Sequence, residues 1–288
     1  MRGNVVCAGY ALAGPSRRAY AAPMSELGDA LELLHGAAGR VATLSATLLV
    51  WYDEERGMRV AEAAQQRAGD GSVAVLYRTG NGELPPPRRY EQRTLVHYRH
   101  PGRYRLHRQA TAHVQRPHDV LQVSDGEREW TYVAADREAY VQAAGQHEFV
   151  RLLDPSWLAA ACILSVAGRS SYEGRPAVEL DGRPRPNPAA LHVDHHMDWG
   201  AEGLHAVIDA ETGLLLSLTS RFDGEPYRVE RLTDVMVNQP LDDELFRFTP
   251  PPGIRVDDLL ADQHRRPPLR VRLRVLRRRL GRRHVHLR

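Results

Sequence analysis

The chain has 288 residues, a formal net charge of +3 and 42% hydrophobic residues, which is enough for a single large domain with its own core. All 39 basic residues are arginine, and the absence of lysine excludes phosphate-loop lysines, Schiff-base chemistry and serine–lysine nucleophile pairs. The two cysteines, Cys7 and Cys162, form no C-x-x-C motif, so zinc-ribbon and thioredoxin-type sites are unsupported.

The first third of the chain predicts an arm, helices and strands. Residues 1–23 form a loosely ordered arm, and Ser25 caps a helix whose apolar positions are Leu27, Leu31, Leu34, Ala38 and Val41. The β-forming run 43–52 predicts the first strand. A short helix over 58–67 and a strand over 72–78 follow it.

The middle of the chain predicts hairpins and one helix. Alternating residues on both sides of His100-Pro101-Gly102 predict a hairpin, and a second pair of strands turns at Asp125-Gly126, with Tyr140 and Val141 continuing the meander. Asp154 and Pro155 then predict a helix from Trp157 to about Ser165, with Cys162 on its buried face. Strands over 166–172 and 175–180 complete this part.

The segment Gly203–Ile254 carries the clearest pattern. It predicts three antiparallel strands joined by turns at Ala210–Gly213 and Asp223-Gly224, each with a glycine where the backbone needs a positive φ. Its middle strand alternates between an apolar and a polar face. Asp242-Asp243-Glu244 predicts a capped helical turn, after which Phe246 and Phe248 pack inward.

This segment resembles the LolA/RseB-like superfamily of lipoprotein carriers and envelope-stress sensors, on its D-A-E-T-G and D-G turns, its T-D-V strand end and the hook PLDDELFRFTPP. The resemblance implies an α+β fold, a curved antiparallel half-barrel of about ten strands with helices packed over its open concave face. That domain would span residues 24–260. The resemblance also implies a non-catalytic protein without a cofactor that binds lipid or the acyl chains of a lipoprotein as a monomer.

An apolar sheet face that does not close into a barrel is either covered by helices or holds an apolar ligand. The sequence cannot separate these alternatives, since both require the same face. The residues expected to line a hydrophobic cavity are aromatic or leucine positions of the predicted strands and helix: Tyr98, Tyr104, Leu106, Trp130, Tyr132, Trp157, Leu216 and Leu218.

Two alternatives to a carrier stay open. One is an RseB-like regulatory module that senses envelope signals. The other is a metal-dependent enzyme that uses a histidine cluster, and it is the weaker because no H-E-x-x-H spacing occurs and a solvated loop accounts for the pattern. The cluster comprises His192, Asp194, His195, His196 and Asp198, with His205 downstream.

The C-terminal region 261–288 is strongly basic. Residues 265–288 hold eleven arginines and no acidic residue, and subtracting this +11 from the overall +3 leaves −8 for 1–264. Alternating arginine and aliphatic residues suit an anionic membrane surface, whereas the lack of aromatic residues argues against sequence-specific nucleic-acid binding. The family implies export to the cell envelope, but Met1–Pro23 carries no clear signal peptide and Cys7 no lipobox, which predicts a cytoplasmic location.

Overall fold

The computed structural model describes residues 18–68, 89–111, 119–145, 147, 149–185 and 201–260. Within these ranges twelve strands form one sheet in the order β12-β6-β5-β4-β3-β2-β1-β11-β10-β9-β8-β7. Every neighbouring pair is antiparallel except β12, which lies parallel to β6. The strands are β1 Thr43–Asp53, β2 Arg89–Arg99, β3 Arg103–Thr111, β4 Val120–Asp125, β5 Arg128–Val133, β6 Glu138–Ala143, β7 Cys162–Tyr172, β8 Arg175–Pro184, β9 Gly203–Asp209, β10 Leu215–Phe222, β11 Glu225–Val237 and β12 Val256–Asp258.

Four α-helices accompany the sheet in the described ranges: α1 Arg18–Arg40, α2 Glu54–Ala68, α3 Val150–Leu153 and α4 Trp157–Ala161. The described ranges also contain short 3₁₀ turns at Ala134–Asp136 and Asp243–Phe246. None of these helices combines the length and the hydropathy that crossing a bilayer requires. The predicted α+β fold, a curved open antiparallel sheet with helices over one face, is confirmed, although the sheet has twelve strands where about ten were expected.

The two faces of the sheet differ in what covers them. We call the face that carries Leu180, Leu218, Leu44, Tyr98 and Tyr104 the inner face, because strand register places these side chains on one side. One buried hydrophobic cluster joins this face to residues of all four helices. We call the opposite face the outer face.

The local predictions for the C-terminal meander are confirmed. Gly213 and Gly224 both have positive φ, at 78° and 74°, where the chain turns between β9, β10 and β11. Asp242 accepts a hydrogen bond from the backbone N–H of Glu244 and so caps the 3₁₀ turn before Phe246. These features depend on residues close together in sequence, which explains why the pattern predicted them.

Three helix predictions need correction, the simplest being α2, which begins at Glu54, four residues before its predicted start at 58. Helix α1 already includes Arg18–Met24, so Ser25 lies within the helix and does not cap its beginning. Its buried positions include Ala30, Leu34 and Ala37, and Val41 is buried just after the helix ends, whereas the predicted apolar position Ala38 is exposed.

The helix predicted from Trp157 to about Ser165 ends earlier than expected. Helix α4 stops at Ala161, and Cys162 begins strand β7, where it pairs with Pro184. Cys162 is buried as expected but lies in a strand, because pairing with β8 supplies the backbone hydrogen bonds that a longer helix would have made internally. The strand predicted over 72–78 lies outside the described residues, and the boundaries 24–260 remain a prediction.

Candidate ligand site on the inner face

The centre of the inner face is apolar and closely covered. Leu216 of β10, Leu180 of β8 and Leu106 of β3 are at most 2% exposed, and all belong to the same buried cluster. Long-range strand pairing is what brings them together, since β8, β10 and β3 are separated in the chain and joined only through β9, β11, β1 and β2. The result is a continuous hydrophobic surface across most of the sheet.

The cover over this surface includes two short helices. Phe149, just before α3, packs edge-on against Tyr98 and Tyr104, with ring centroids 5.8 Å and 5.4 Å away. Leu152 and Leu158 of α3 and α4 are buried in the same cluster. Because α3 has only four residues and α4 only five, these helices are held by side-chain packing on the sheet rather than by their own hydrogen bonds.

A charged cluster lies within this hydrophobic contact. Glu230 of β11 is buried on the inner face and accepts hydrogen bonds from the guanidinium groups of Arg151 in α3 and Arg228 in β11. Burial alone would raise the pKa of Glu230, but the charges and hydrogen bonds of Arg228 and Arg151 outweigh it and hold that pKa below its ordinary value. The Arg151–Glu230 ion pair ties the helical cover to the sheet.

A second polar cluster borders the apolar surface at β3, β5 and β6. The hydroxyl of Tyr104 donates a hydrogen bond to the buried carboxylate of Glu129, and Gln142 Nε2 donates to the same carboxylate at 2.8 Å. Burial, together with this hydrogen bond to Glu129, raises the pKa of the Tyr104 phenol far above its usual range. Tyr104 therefore stays neutral and acts as a hydrogen-bond donor.

The structure brings together five of the eight residues predicted to line a cavity. These five lie on the inner face within one buried cluster: Tyr98, Tyr104, Leu106, Leu216 and Leu218. A sixth, Trp157, lies in α4, packs against the cluster and donates its indole N–H to the carbonyl of Arg151 at 3.2 Å.

Trp130 and Tyr132 do not share the face of the five inner-face residues. Register through β4 places both on the outer face, because Trp130 pairs with Val123, which pairs in turn with the outer-face Arg105. Trp130 stacks on Phe248 of the C-terminal hook, with their ring centroids 6.4 Å apart. Trp130 thus contributes to the contact between hook and sheet, and neither residue faces the inner side.

The same hook organises arginines of the outer face. The guanidinium groups of Arg99 and Arg103 lie over the ring of Phe246 at 5.0 Å and 4.9 Å, and both reach the carboxylate of Asp243. These arginine hydrogen bonds hold the pKa of Asp243 below its ordinary value. The outer face of β2 and β3 is therefore occupied by the protein's own C-terminal segment.

The histidine cluster His192–Asp198 lies outside the described residues. His205 is on β9, where its Nδ1 lies 2.9 Å from a carboxylate oxygen of Asp181 and its Nε2 lies 3.8 Å from Glu179. In the part of the chain that the structure describes, no group of three or more histidine, cysteine, aspartate and glutamate side chains is arranged to hold a metal ion.

Sequence reasoning missed the charged residues of the inner face. Glu230 could have been found, since it lies two residues before the apolar Leu232 on the same face of β11, in the run Arg228-Val229-Glu230-Arg231-Leu232. Arg151 could not, because it lies 79 residues away in the chain and no local pattern links the two.

No protein-family model matches the sequence, and no curated protein matches it. Among solved structures, the chain is similar to an uncharacterized conserved protein from Thermus thermophilus, with 12% identity, a TM-score of 0.41, and coverage of 82% of this chain and 98% of that one. It is similar to the Pseudomonas aeruginosa MucA/MucB complex structure, with 18% identity, a TM-score of 0.40 and coverage of 77% of this chain but only 61% of the other.

A third similar structure is the lipoprotein LppX of Mycobacterium tuberculosis, with 13% identity, a TM-score of 0.39, and coverage of 77% and 98% of the two chains.

Proposed function

We propose that the protein is a non-catalytic binding protein for a hydrophobic ligand, a lipid or the acyl chains of a lipoprotein, which enters between the inner face and its helical cover. The observation that supports this proposal is that short, separate helices cover the inner face. A continuous apolar face of an open sheet is covered by separate helical segments, two of them only four and five residues long, and not by a second sheet.

The driving force is the burial of apolar surface. An acyl chain gains about 0.8 kcal/mol for each methylene group that it removes from water, so a long chain has ample free energy to displace a short helix. The ligand would take over contacts that Phe149 and Leu152 make with the sheet. The proposed lining residues are the inner-face set Tyr98, Tyr104, Leu106, Leu216 and Leu218, with Trp157 at the cover.

Opening requires more than loss of hydrophobic contact. Arg151 would have to leave the carboxylate of Glu230, which is buried with it beneath the cover. Breaking a buried ion pair is costly, so the cover stays closed until a ligand compensates for the lost contacts. Ligand release would reverse this exchange.

The test is protection against thermal unfolding by a single-chain lipid, lysophosphatidylcholine, titrated below its micelle concentration. A ligand at 100 times its dissociation constant stabilises the folded state by about 2.7 kcal/mol, so for a chain of this size we expect the Tm to rise by roughly 5–10 °C. Native mass spectrometry of the same samples should detect a one-to-one complex.

Two neighbouring residues of β1 provide a matched pair of variants. Val50 faces inward beside Glu230 and Leu49 faces outward beside Arg231, and both are partly exposed. Val50→Trp should reduce the lipid-induced rise in Tm, while Leu49→Trp should leave it unchanged. The proposal is wrong if no lipid protects the protein, or if the outward substitution impairs protection as much as the inward one.

A further inference from the structure

One arginine of the inner face differs from the others in its surroundings. Strand β3 places Tyr104, Leu106 and Arg108 in succession on the inner face, and the first two are buried in the core. Arg108 is the next inward position, between Thr94 of β2 and Val120 of β4. It therefore lies at the border of the apolar surface, in direct continuation of two predicted lining residues.

Arg108 has no partner for its charge among the described residues. Its Nε atom is buried and makes no hydrogen bond, and no carboxylate of the described ranges forms an ion pair with it. Arg151 and Arg228, the other inner-face arginines discussed above, both bind Glu230. On the outer face of the same strand, Arg103 binds Asp243.

A guanidinium at the edge of an apolar surface is unfavourable when its buried Nε atom has no acceptor among the described residues, unless something else satisfies it. Taking a charged donor out of water costs free energy that only an opposite charge or hydrogen-bond acceptors restore. The planar guanidinium fork matches the two oxygens of a carboxylate or phosphate. Thr94, a buried residue of the neighbouring strand, pairs directly with Arg108 and adds a polar side chain to the same part of the inner face.

We propose that Arg108 binds the anionic head group, a carboxylate or phosphate, of a single-chain amphiphile whose hydrocarbon tail lies along the inner face past Leu106. This inference rests on the proposed hydrophobic-ligand function and specifies the chemical class of that ligand. An acyl chain extending from Arg108 over Leu106 and Tyr104 follows the direction of β3. A neutral amphiphile of equal length makes the same apolar contacts but leaves Arg108 unpaired.

The experiment compares palmitate, lysophosphatidic acid and hexadecanol as competitors for a bound fluorescent acyl probe. We expect one or both anionic lipids to bind about tenfold to a hundredfold more tightly than the alcohol, the range expected for a hydrogen bond between charged groups. The relative affinities of palmitate and lysophosphatidic acid identify a carboxylate or a phosphate head group.

Arg108→Gln should remove the preference for the anion and leave hexadecanol binding unchanged, which an unfolded variant could not do. Arg108→Lys should retain part of the preference, since it keeps the charge but not the planar fork. Arg93→Gln is the matched control, because Arg93 is an exposed outer-face arginine of the adjacent strand, and it should behave as the parent protein.

Equal affinity of the parent protein for acids and alcohol would overturn this inference while leaving the proposed function intact. An unchanged preference in Arg108→Gln would overturn it as well. Failure of all three lipids to displace the probe, or of the probe to bind, would overturn both proposals.

Discussion

Replacing Glu230 by glutamine tests the most consequential contact between the sheet and its helical cover. The substitution keeps the shape of the side chain but removes the charge that Arg151 and Arg228 share. Two guanidinium groups would then lie beneath α3 without a counter-ion at this position. Loss of one partner from a buried ion pair costs about 3–5 kcal/mol of folding free energy.

The effect should depend on pH in a defined direction. The pKa of Glu230 is lower in the folded protein than its ordinary value of 4.5. A carboxylate with a depressed folded-state pKa adds stability that is present in full above its unfolded-state pKa and is lost as pH falls through the folded-state pKa. The stability difference between the parent protein and Glu230→Gln should therefore be greatest near neutral pH and shrink once the pH falls below about 4.5.

The measurement is urea unfolding at a series of pH values, with Glu225→Gln as control. Glu225 begins the same strand but is exposed, so its replacement should change stability by less than about 0.5 kcal/mol. A loss of at least about 2 kcal/mol in Glu230→Gln at neutral pH would support the ion pair as a structural tie. A difference that is negligible, or that stays constant down to acid pH, would refute the reasoning.

Three further predictions concern other parts of the molecule. Gly213→Ala should lower the unfolding free energy by more than about 2 kcal/mol, because a Cβ there would lie 2.1 Å from the carbonyl oxygen of Leu33 at a φ of +78°. Gly224→Ala, which has open space around the new Cβ, should lower it by only about 1 kcal/mol. Equal losses in the two variants would contradict the close approach of α1 to Gly213. Trp130→Ala should weaken the packing of the C-terminal hook on the sheet, because it removes the stacking on Phe248. A titration should show an unchanged affinity for lysophosphatidylcholine. A reduced affinity would place Trp130 in the ligand site. Deleting residues 265–288 should abolish salt-sensitive binding to anionic vesicles, measured by co-sedimentation, and binding that survives the deletion would exclude the tail as the contact.

The sequence by itself determined the elements that local chemistry specifies. Asp-Gly and Thr-Gly turns, strand alternation and the Asp242 cap depend on residues a few positions apart, so the hairpins of β2–β3 and β9–β11 were predictable. The apolar alternation also predicted that Tyr104 and Leu106, two residues apart in one strand, would share a face. The family resemblance supplied the open half-barrel into which these elements fit.

Only the tertiary structure decided which face of each strand becomes the inner one. Alternation has a period of two and does not reveal its own phase, so Trp130 and Tyr132 were assigned to the wrong face until the register through β4 was known. The charged side chains of the inner face were equally inaccessible to pattern, because Arg151 meets Glu230 only after β1 has paired with β11 and α3 has packed over the sheet. Such contacts depend on pairings between distant parts of the chain, and their energies cannot be read from neighbours in sequence.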